Sequence, residues 1–368
     1  MKKVTLIAIF ALAAIFALAA CTGGGSGGSS AAGSAAAGGS SAPAEEPAAG
    51  GDASDLIVGY NMGSDSLEFY QNIQGGLQYA ADLNGVQMIT IVSDWDPEKI
   101  IPNTENLLMQ GAQVIVDFNV NAEIGGNIVD VVKEKGGAGT ISIDVEYYSA
   151  NGTDRAWFMG INNQRAGELC GEAIAQALED QGRELEYLVL FFNSENGDLV
   201  KKRMGGAIDG LANKGVELTE DQIEWIDLGG GGSDTTIQGQ EKFAAWLTSH
   251  PDVRTVATVA VNDETTQGIF AAAETANRTQ DCLLASHNVS EQFQALAAKG
   301  NPDDALVWLG SVAYHPEKYG EYIIPLAIDI YTGANTDPSV NTLMDPEWIS
   351  MADVDKYTQE YDDYVANW

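Results

Sequence analysis

Cysteine and histidine are scarce in this chain, with 3 of each in 368 residues, and Lys plus Arg number 18 against 53 Asp plus Glu. Each shortage excludes a class of chemistry. Cys21, Cys170 and Cys282 cannot build a disulfide framework, and no C-x-x-C pair exists. His250, His287 and His315 show no H-E-x-x-H spacing, so neither a zinc site nor a histidine-driven nucleophile is written into the chain. Apart from Lys2-Lys3 and Lys201-Lys202-Arg203 the few cations are scattered, which excludes nucleic acid as a partner, because phosphate backbones are held by extended groups of Lys and Arg. The formal charge is −35, and the plain reading of so many carboxylates is a well-solvated surface.

What is present starts with Met1, Lys2 and Lys3, followed by an uncharged apolar stretch over residues 4–20 and the sequence Leu18-Ala19-Ala20-Cys21. A positive start, an apolar helix and small residues before a cleavage point form an export signal over residues 1–20. The alternative is an uncleaved anchor, but the run is at the short end for a bilayer span. In either case the rest of the chain lies outside. Apart from Thr22 and Asp52, residues 22–54 are Gly, Ser, Ala and Pro with one Glu45-Glu46 pair, too polar and too small to bury a core. They are expected to form a tether, reaching on the order of 30 Å as a flexible coil. The G-x-S-x-G and G-x-G-x-x-G matches within residues 23–28 are accidents of composition, since neither a strand precedes them nor a helix follows.

From residue 55 onward, short Val/Ile/Leu runs alternate with amphipathic stretches. Strands are expected at 56–60, 87–92, 114–118 and 140–143, with helices at 68–83, 98–110 and 123–135 between them. There a first lobe closes. A second series is expected to open with a strand at 156–161 and to continue with helices at 164–179, 199–214, 235–249, 263–276 and 291–299. Its further strands fall at 187–192, 223–228, 255–261, 283–286 and 305–310, and a last long helix at 319–331. Continuous apolar strands in such alternation indicate parallel sheets covered by helices on both faces, here two doubly wound α/β lobes. In open parallel sheets ligands bind beyond the carboxyl ends of the strands. Polar residues recur there: Asn61, Ser93-Asp94-Trp95, Asn119, Asp144, Asn193, Asn262-Asp263 and Asn288. About half of such residues are ordinary turn formers. Aromatics at Phe69, Tyr70, Trp95, Phe118 and Tyr314 accompany them, whereas Trp225, Trp246 and Trp308 read as core. Cys170 and Cys282 read as small apolar residues in separate cores.

Several segments resemble the ribose- and galactose-type periplasmic binding proteins of ABC transporters, whose fold is shared with the lactose-repressor core. They are Phe69-Tyr70, Thr140-Ile141-Ser142-Ile143-Asp144, Gly160-Ile161-Asn162-Asn163, Lys202-Arg203-Met204-Gly205-Gly206, and His250-Pro251-Asp252-Val253 followed by Val261-Asn262-Asp263-Glu264. The segment before Cys21 likewise resembles the lipobox of bacterial lipoproteins, which implies a diacylglyceryl group on Cys21. The resemblance implies a type I fold with hinge strands, an amino-terminal lobe of residues 55–161 plus 315–342 and a carboxy-terminal lobe of 162–314 plus 343–368.

The resemblance also implies roles. Phe69 and Tyr70 correspond to aromatics that pack on the sugar ring, Asp144 and Arg203 to charged partners of its hydroxyls, Asn262 and Asn288 to polar groups after later strands, and Tyr314 to a polar hinge position. The arginine that often follows the fourth-strand aspartate is Val145 here, and an aromatic expected in the second lobe falls near Asp234, which departs from a ribose pocket; a ligand site with Asp144 and Asp234 suits another pentose or hexose, or a cationic ligand. Trp95 or Phe118 could supply a second stacking face, with Asn119 beside them. The galactose branch's calcium loop is not matched by residues 193–198, and no metal or cofactor is expected. The implied function is a monomeric, lipid-anchored, extracellular protein that captures a pentose or hexose and delivers it to an ABC permease, in a host with no outer membrane. The alternatives are a ligand-sensing accessory of a chemotaxis or two-component system and an extracytoplasmic glycoside-acting enzyme.

Overall fold

The computed structural model describes residues 52–94, 96–119, 122–194, 197–229 and 235–368. Cys21, Trp95 and Asp234, with the export signal and nearly all of the tether, lie outside the described residues. A single turn at Ala53–Asp55, capped by the Asp52 carboxylate, leads into the fully buried Leu56.

In the first lobe β1 (Ile57–Met62), α1 (Glu68–Asn84), β2 (Gln87–Val92), α2 (Pro97–Met109), β3 (Val114–Asp117), α3 (Ala122–Glu134), β4 (Gly139–Ile143) and β5 (Trp157–Ile161) follow one another. The chain then crosses to α4 (Asn163–Gln181), β6 (Tyr187–Phe192), α5 (Gly197–Asn213), β7 (Ile223–Asp227), α6 (Thr235–Ser249), β8 (Val256–Ala260), α7 (Asp263–Thr275) and β9 (Cys282–His287). After α8 (Glu291–Ala298), α9 (Pro302–Val307) and β10 (Trp308–Ala313) it returns through α10 (Gly320–Thr332) and β11 (Thr342–Met344), and ends with β12 (Glu347–Ser350) and α11 (Val354–Val365). The two sheets run β2-β1-β3-β4-β5-β11 and β7-β6-β8-β9-β10-β12. Every pairing is parallel except β10 with β12.

Local chemistry explains the regular elements. The apolar side chains of α1 fall on one face at Ile73, Leu77 and Ala80, and the helix ends at Gly85, whose left-handed φ of 67° lets its N–H reach back to the Ala81 carbonyl. The strands β3 and β8 are buried along their whole length, as parallel strands covered on both faces must be. One apolar cluster runs continuously from Val58, Leu77 and Ile323 of the first lobe to Ile174, Leu188 and Met204 of the second, so the lobes share a core on that side.

Four expectations change. The strand β5 pairs with β4 and with β11, so it completes the first sheet and does not open the second. The strand expected at 305–310 begins only at Trp308, because Asn301 caps a short helix with Pro302 at its first turn and that helix continues through Val307. Trp225 is 44% exposed, because β7 is an edge strand, and it packs edge-on against Phe192 at 5.7 Å. Trp246 and Trp308 are buried. The helix expected last, at 319–331, is followed by one strand for each sheet and a final helix. Cys170 and Cys282 are free thiols in separate apolar clusters.

The chain passes between lobes three times, and the passages are tied together. The Asn162 N–H donates to the Met344 carbonyl at 3.1 Å, joining the first passage to the third. His315 Nε2 lies 3.3 Å from a Glu347 carboxylate oxygen, joining the second to the third.

Candidate functional site

The carboxyl ends of both sheets face the same cleft, and the backbone there is strained. Asp94, Asp144, Asn288, Val289 and His315 adopt φ values of 54°, 60°, 110°, 52° and 50°, each costing about 1–3 kcal/mol. Left-handed backbone is least tolerated by a β-branched residue such as Val289. Its conformation is imposed by neighbours: the Asn288 N–H donates to the Val312 carbonyl at 2.8 Å, the Val289 N–H to Ser311 Oγ at 3.0 Å, and the Ser290 N–H to the Asp263 carboxylate at 2.6 Å. Asp263 also accepts from the Ser286 and Ser311 hydroxyls and is fully buried, which pushes its carboxyl up to about 7. It is a framework residue that holds three strand ends in place.

In the first lobe, four aromatic rings meet at the start of α1. Phe69 lies edge-on to Tyr70 at 5.6 Å, to Phe118 at 6.2 Å and to Tyr319 at 6.2 Å, and Tyr70 lies 5.2 Å from Phe118. Tyr70, Phe118 and Tyr319 are buried, so Phe69 is the member of the group that reaches the cleft. Behind them Asp117 closes β3. Its carboxylate sits 2.7 Å from the Tyr147 hydroxyl, and burial pushes it up to about 7. The Asn119 N–H donates to the same hydroxyl at 2.7 Å, so Asn119 is fixed through its backbone at the strand end.

Asp144 is half-buried and one of its oxygens accepts from the Ile161 N–H at 3.0 Å. Burial raises its carboxyl to about 6, against the pull of that N–H and of the Arg203 guanidinium from the other lobe. Arg203, on α5, is 7% exposed. Its Nε and Nη2 donate to Asn163 Oδ1 at 3.1 and 2.8 Å, and its Nη1 to the Val261 carbonyl at 2.9 Å. A guanidinium carries five N–H groups, so two remain for another partner. The guanidinium carbon lies 4.9 Å from the Tyr314 ring centre, and that ring stacks with His287 at 6.0 Å. Burial, with the Arg203 charge added to it, holds the His287 imidazole well below its ordinary pKa, and its Nδ1 lies 2.8 Å from the Ala260 carbonyl. The imidazole near the cation is therefore neutral. The hydroxyls of Tyr314 and Tyr319 are buried without a hydrogen-bond partner, within electrostatic reach of Asp144 and Arg203.

Close helix packing sets the Arg203 position. A Cβ on Gly167 of α4 would lie 1.8 Å from the Arg203 carbonyl oxygen, and one on Gly206 of α5 would lie 2.2 Å from the Gln164 carbonyl oxygen. With glycine at both points the α4 and α5 backbones approach closely enough for Arg203 to reach Asn163.

Asn262 begins α7, and its Oδ1 accepts from the Thr265 N–H and hydroxyl at 3.0 and 2.6 Å, so the oxygen is committed to capping. The side-chain NH2 has one long contact, 3.5 Å to the Thr235 hydroxyl. Asn288 lines a cavity of about 210 Å³ with Glu68, Phe69, Asn72, Glu291 and Tyr361. The structure thus brings together Phe69, Tyr70, Asp144, Arg203 and Tyr314 around one cleft, with Asn288 on its flank. Tyr319, Asn163 and the α11 residues of that flank are not foreseen. Asn163 directly follows a helix-capping asparagine, which masks any separate signal. Asn61 and Ser93 prove to be framework residues, bonded to the Ile100 and Met62 carbonyls. Among the described residues no group of three His, Cys, Asp or Glu side chains is placed to hold a metal.

Two doubly wound lobes joined by three passages, with polar groups from both converging on one cleft, define the type I periplasmic binding protein fold. The chain belongs to the periplasmic binding protein domain family, which matches residues 58–335. It is similar to the ribose import binding proteins of Escherichia coli, 22% identical over 211 residues, and of Bacillus subtilis, 20% identical over 291 residues. The first match covers 57% of this chain and 65% of the relative, just under two thirds of its length, and the second 79% and 87%. Among solved structures, a periplasmic ribose ABC transporter protein of Conexibacter woesei superposes with a TM-score of 0.67 at 18% identity, covering 84% of this chain and 97% of that one. A solute-binding protein of Actinobacillus succinogenes with bound D-allose superposes at 0.65 and 17%, covering 82% and 100%.

Proposed function

We propose that this chain is the substrate-binding lipoprotein of an ABC importer, capturing a monosaccharide, pentose or hexose, between its lobes and delivering it to a membrane permease. The observation that carries this reading is the approach of Asp144 from one lobe to Arg203 from the other, with Tyr319, within reach of both charges, packed on the partly exposed Phe69 ring at 6.2 Å. A carboxylate with a free oxygen, a guanidinium with two uncommitted N–H groups and an aromatic edge suit a ring that has hydroxyls around its rim and C–H groups on its faces. The relatives named for ribose import, and the neighbour holding D-allose, support the same ligand class. The relatives are named as import binding proteins, so on this reading the sugar is released unchanged.

The Leu18-Ala19-Ala20-Cys21 motif and the Gly/Ser/Ala stretch behind it support lipid attachment at Cys21 and a tethered domain on the outer face of the cell membrane, in a Gram-positive host. The chain then acts as a monomer within reach of its permease. Thermal-shift measurements against pentoses, hexoses, inositols and polyamines test the ligand class. Stabilisation by at least one monosaccharide is expected, and stabilisation by polyamines alone would overturn the sugar reading. Labelling with radioactive palmitate, lost in Cys21→Ser together with release of the protein into the medium, is the expected signature of the anchor.

A further inference from the structure

A set of hydrogen bonds connects the two charged residues of the cleft through the backbone of a single residue, Ile161. Asp144 Oδ1 accepts from the Ile161 N–H at 3.0 Å, and the Ile161 carbonyl accepts from Asn163 Nδ2 at 3.2 Å. Asn163 Oδ1 in turn accepts from both Nε and Nη2 of Arg203. Ile161 is the last residue of β5 and Asn163 the first of α4, so the connecting residues are the first passage between the lobes. Asn163 itself is 7% exposed and contributes both halves of its amide to this chain.

We propose that Asn163 is a positioning residue that aims the Arg203 guanidinium at the cleft and couples that aim to the bend of the first passage. The proposal rests on the reading of Asp144 and Arg203 as ligand groups. The physical basis is the planarity of both groups. An amide oxygen receiving Nε and Nη2 together fixes the guanidinium plane, and with Nη1 held by the Val261 carbonyl at 2.9 Å the two remaining N–H groups have one direction left. The amide's other end is held by the passage, so a change in the bend at residues 161–163 turns the arginine. Asp144 grips the preceding peptide unit through the Ile161 N–H, so the same movement reaches it across the Ile161 Cα. The two groups are thereby presented together as the lobes close, and this coupling is a property of Asn163, which is not placed against the ligand.

The test uses the full mature chain labelled with 15N-arginine and the variants Asn163→Ala, Asn163→Asp and Arg203→Ala. Arg203→Ala assigns the Arg203 Nε–H resonance by its disappearance. In Asn163→Ala this proton is expected to exchange with water at least about tenfold faster than in wild type, since its acceptor is gone. Aspartate keeps two acceptor oxygens but cannot donate to the Ile161 carbonyl. Asn163→Asp should therefore leave the proton protected while small-angle scattering of the sugar-free protein shifts toward the open form, as it also should in Asn163→Ala.

Calorimetry with D-ribose, D-allose and myo-inositol should show affinity reduced about tenfold in Asn163→Ala and within about threefold of wild type in Asn163→Asp. Unchanged Nε–H exchange in a folded Asn163→Ala overturns the proposal, as does unchanged scattering in Asn163→Asp. If Arg203→Ala abolishes binding while Asn163→Ala retains it, the positioning role falls and the site stands. If Arg203→Ala binds as wild type does, the site reading falls, and the exchange data still decide what holds the arginine. Should Asn163→Ala fail to fold, Asn163→Asp carries the test through exchange and scattering alone.

Discussion

Asp144 shows how much a single residue's surroundings decide. A carboxylate at a strand end is ordinary, yet burial raises this one to about 6 while the Ile161 N–H and Arg203 stabilise its charged form. Sugar affinity should therefore fall as pH drops below about 6, because protonation removes acceptor capacity from the Asp144 carboxyl. Calorimetry across pH 5 to 8 checks this, and Asp144→Asn should flatten the profile. Asp144→Ala and Arg203→Ala are each expected to weaken binding by more than about tenfold, the loss of a charge-assisted hydrogen bond. Unchanged affinity in both would remove this pocket from consideration.

At the scale of elements, the pair α4 and α5 is defined by how closely its backbones pass. Gly167→Ala places a methyl group 1.8 Å from the Arg203 carbonyl oxygen, so the helices must separate. A loss of about 1–3 kcal/mol in stability is expected from such overpacking, measurable by urea denaturation. Weaker sugar binding should accompany it, because Arg203 moves with α5. The final helix works across both lobes. Val354 and Tyr357 are buried in the second lobe's outer core, whereas Tyr361 donates to Asn72 Oδ1 at 2.7 Å and Tyr364 to Glu321 Oε1 at 2.8 Å in the first. The Trp368 ring lies against Gly75 of α1. Truncation after Asp353 should therefore loosen the lobes and open the flank that Tyr357 and Tyr361 wall, giving a larger radius of gyration by small-angle scattering and weaker sugar binding.

For the molecule as a whole, burial sets a pH dependence of stability. Asp117 and Asp263 are pushed up to about 7 and Asp144 to about 6, all above the ordinary carboxylate value. Between about pH 4 and pH 7 the folded state consequently binds more protons than the unfolded chain, so acidification across this window stabilises it. The surplus of acidic residues, with a formal charge of −35, adds to the effect because self-repulsion declines in the same direction. Calorimetric melting temperature should rise from pH 8 to pH 5, and Asp117→Asn should reduce the slope.

The shortage of cysteine, histidine and clustered cations is legible in the sequence, and so is the two-lobed α/β order, because runs such as residues 114–117 can only be strands covered on both faces. Asp144 is legible as a candidate through its position after a strand, and Arg203 through the resemblance of residues 202–206 to the family. The alternation of elements does not reveal that β5 belongs to the first sheet, which only the family resemblance implied, nor that Trp225 faces water or that α11 spans the lobes. Those depend on which strand lies at an edge and which helix faces lie side by side. The tie from Asp144 through Ile161 and Asn163 to Arg203 is of the same kind. It joins residues 59 positions apart in sequence (203 minus 144) through side-chain geometry that exists only once both sheets have formed and the first passage has its bend.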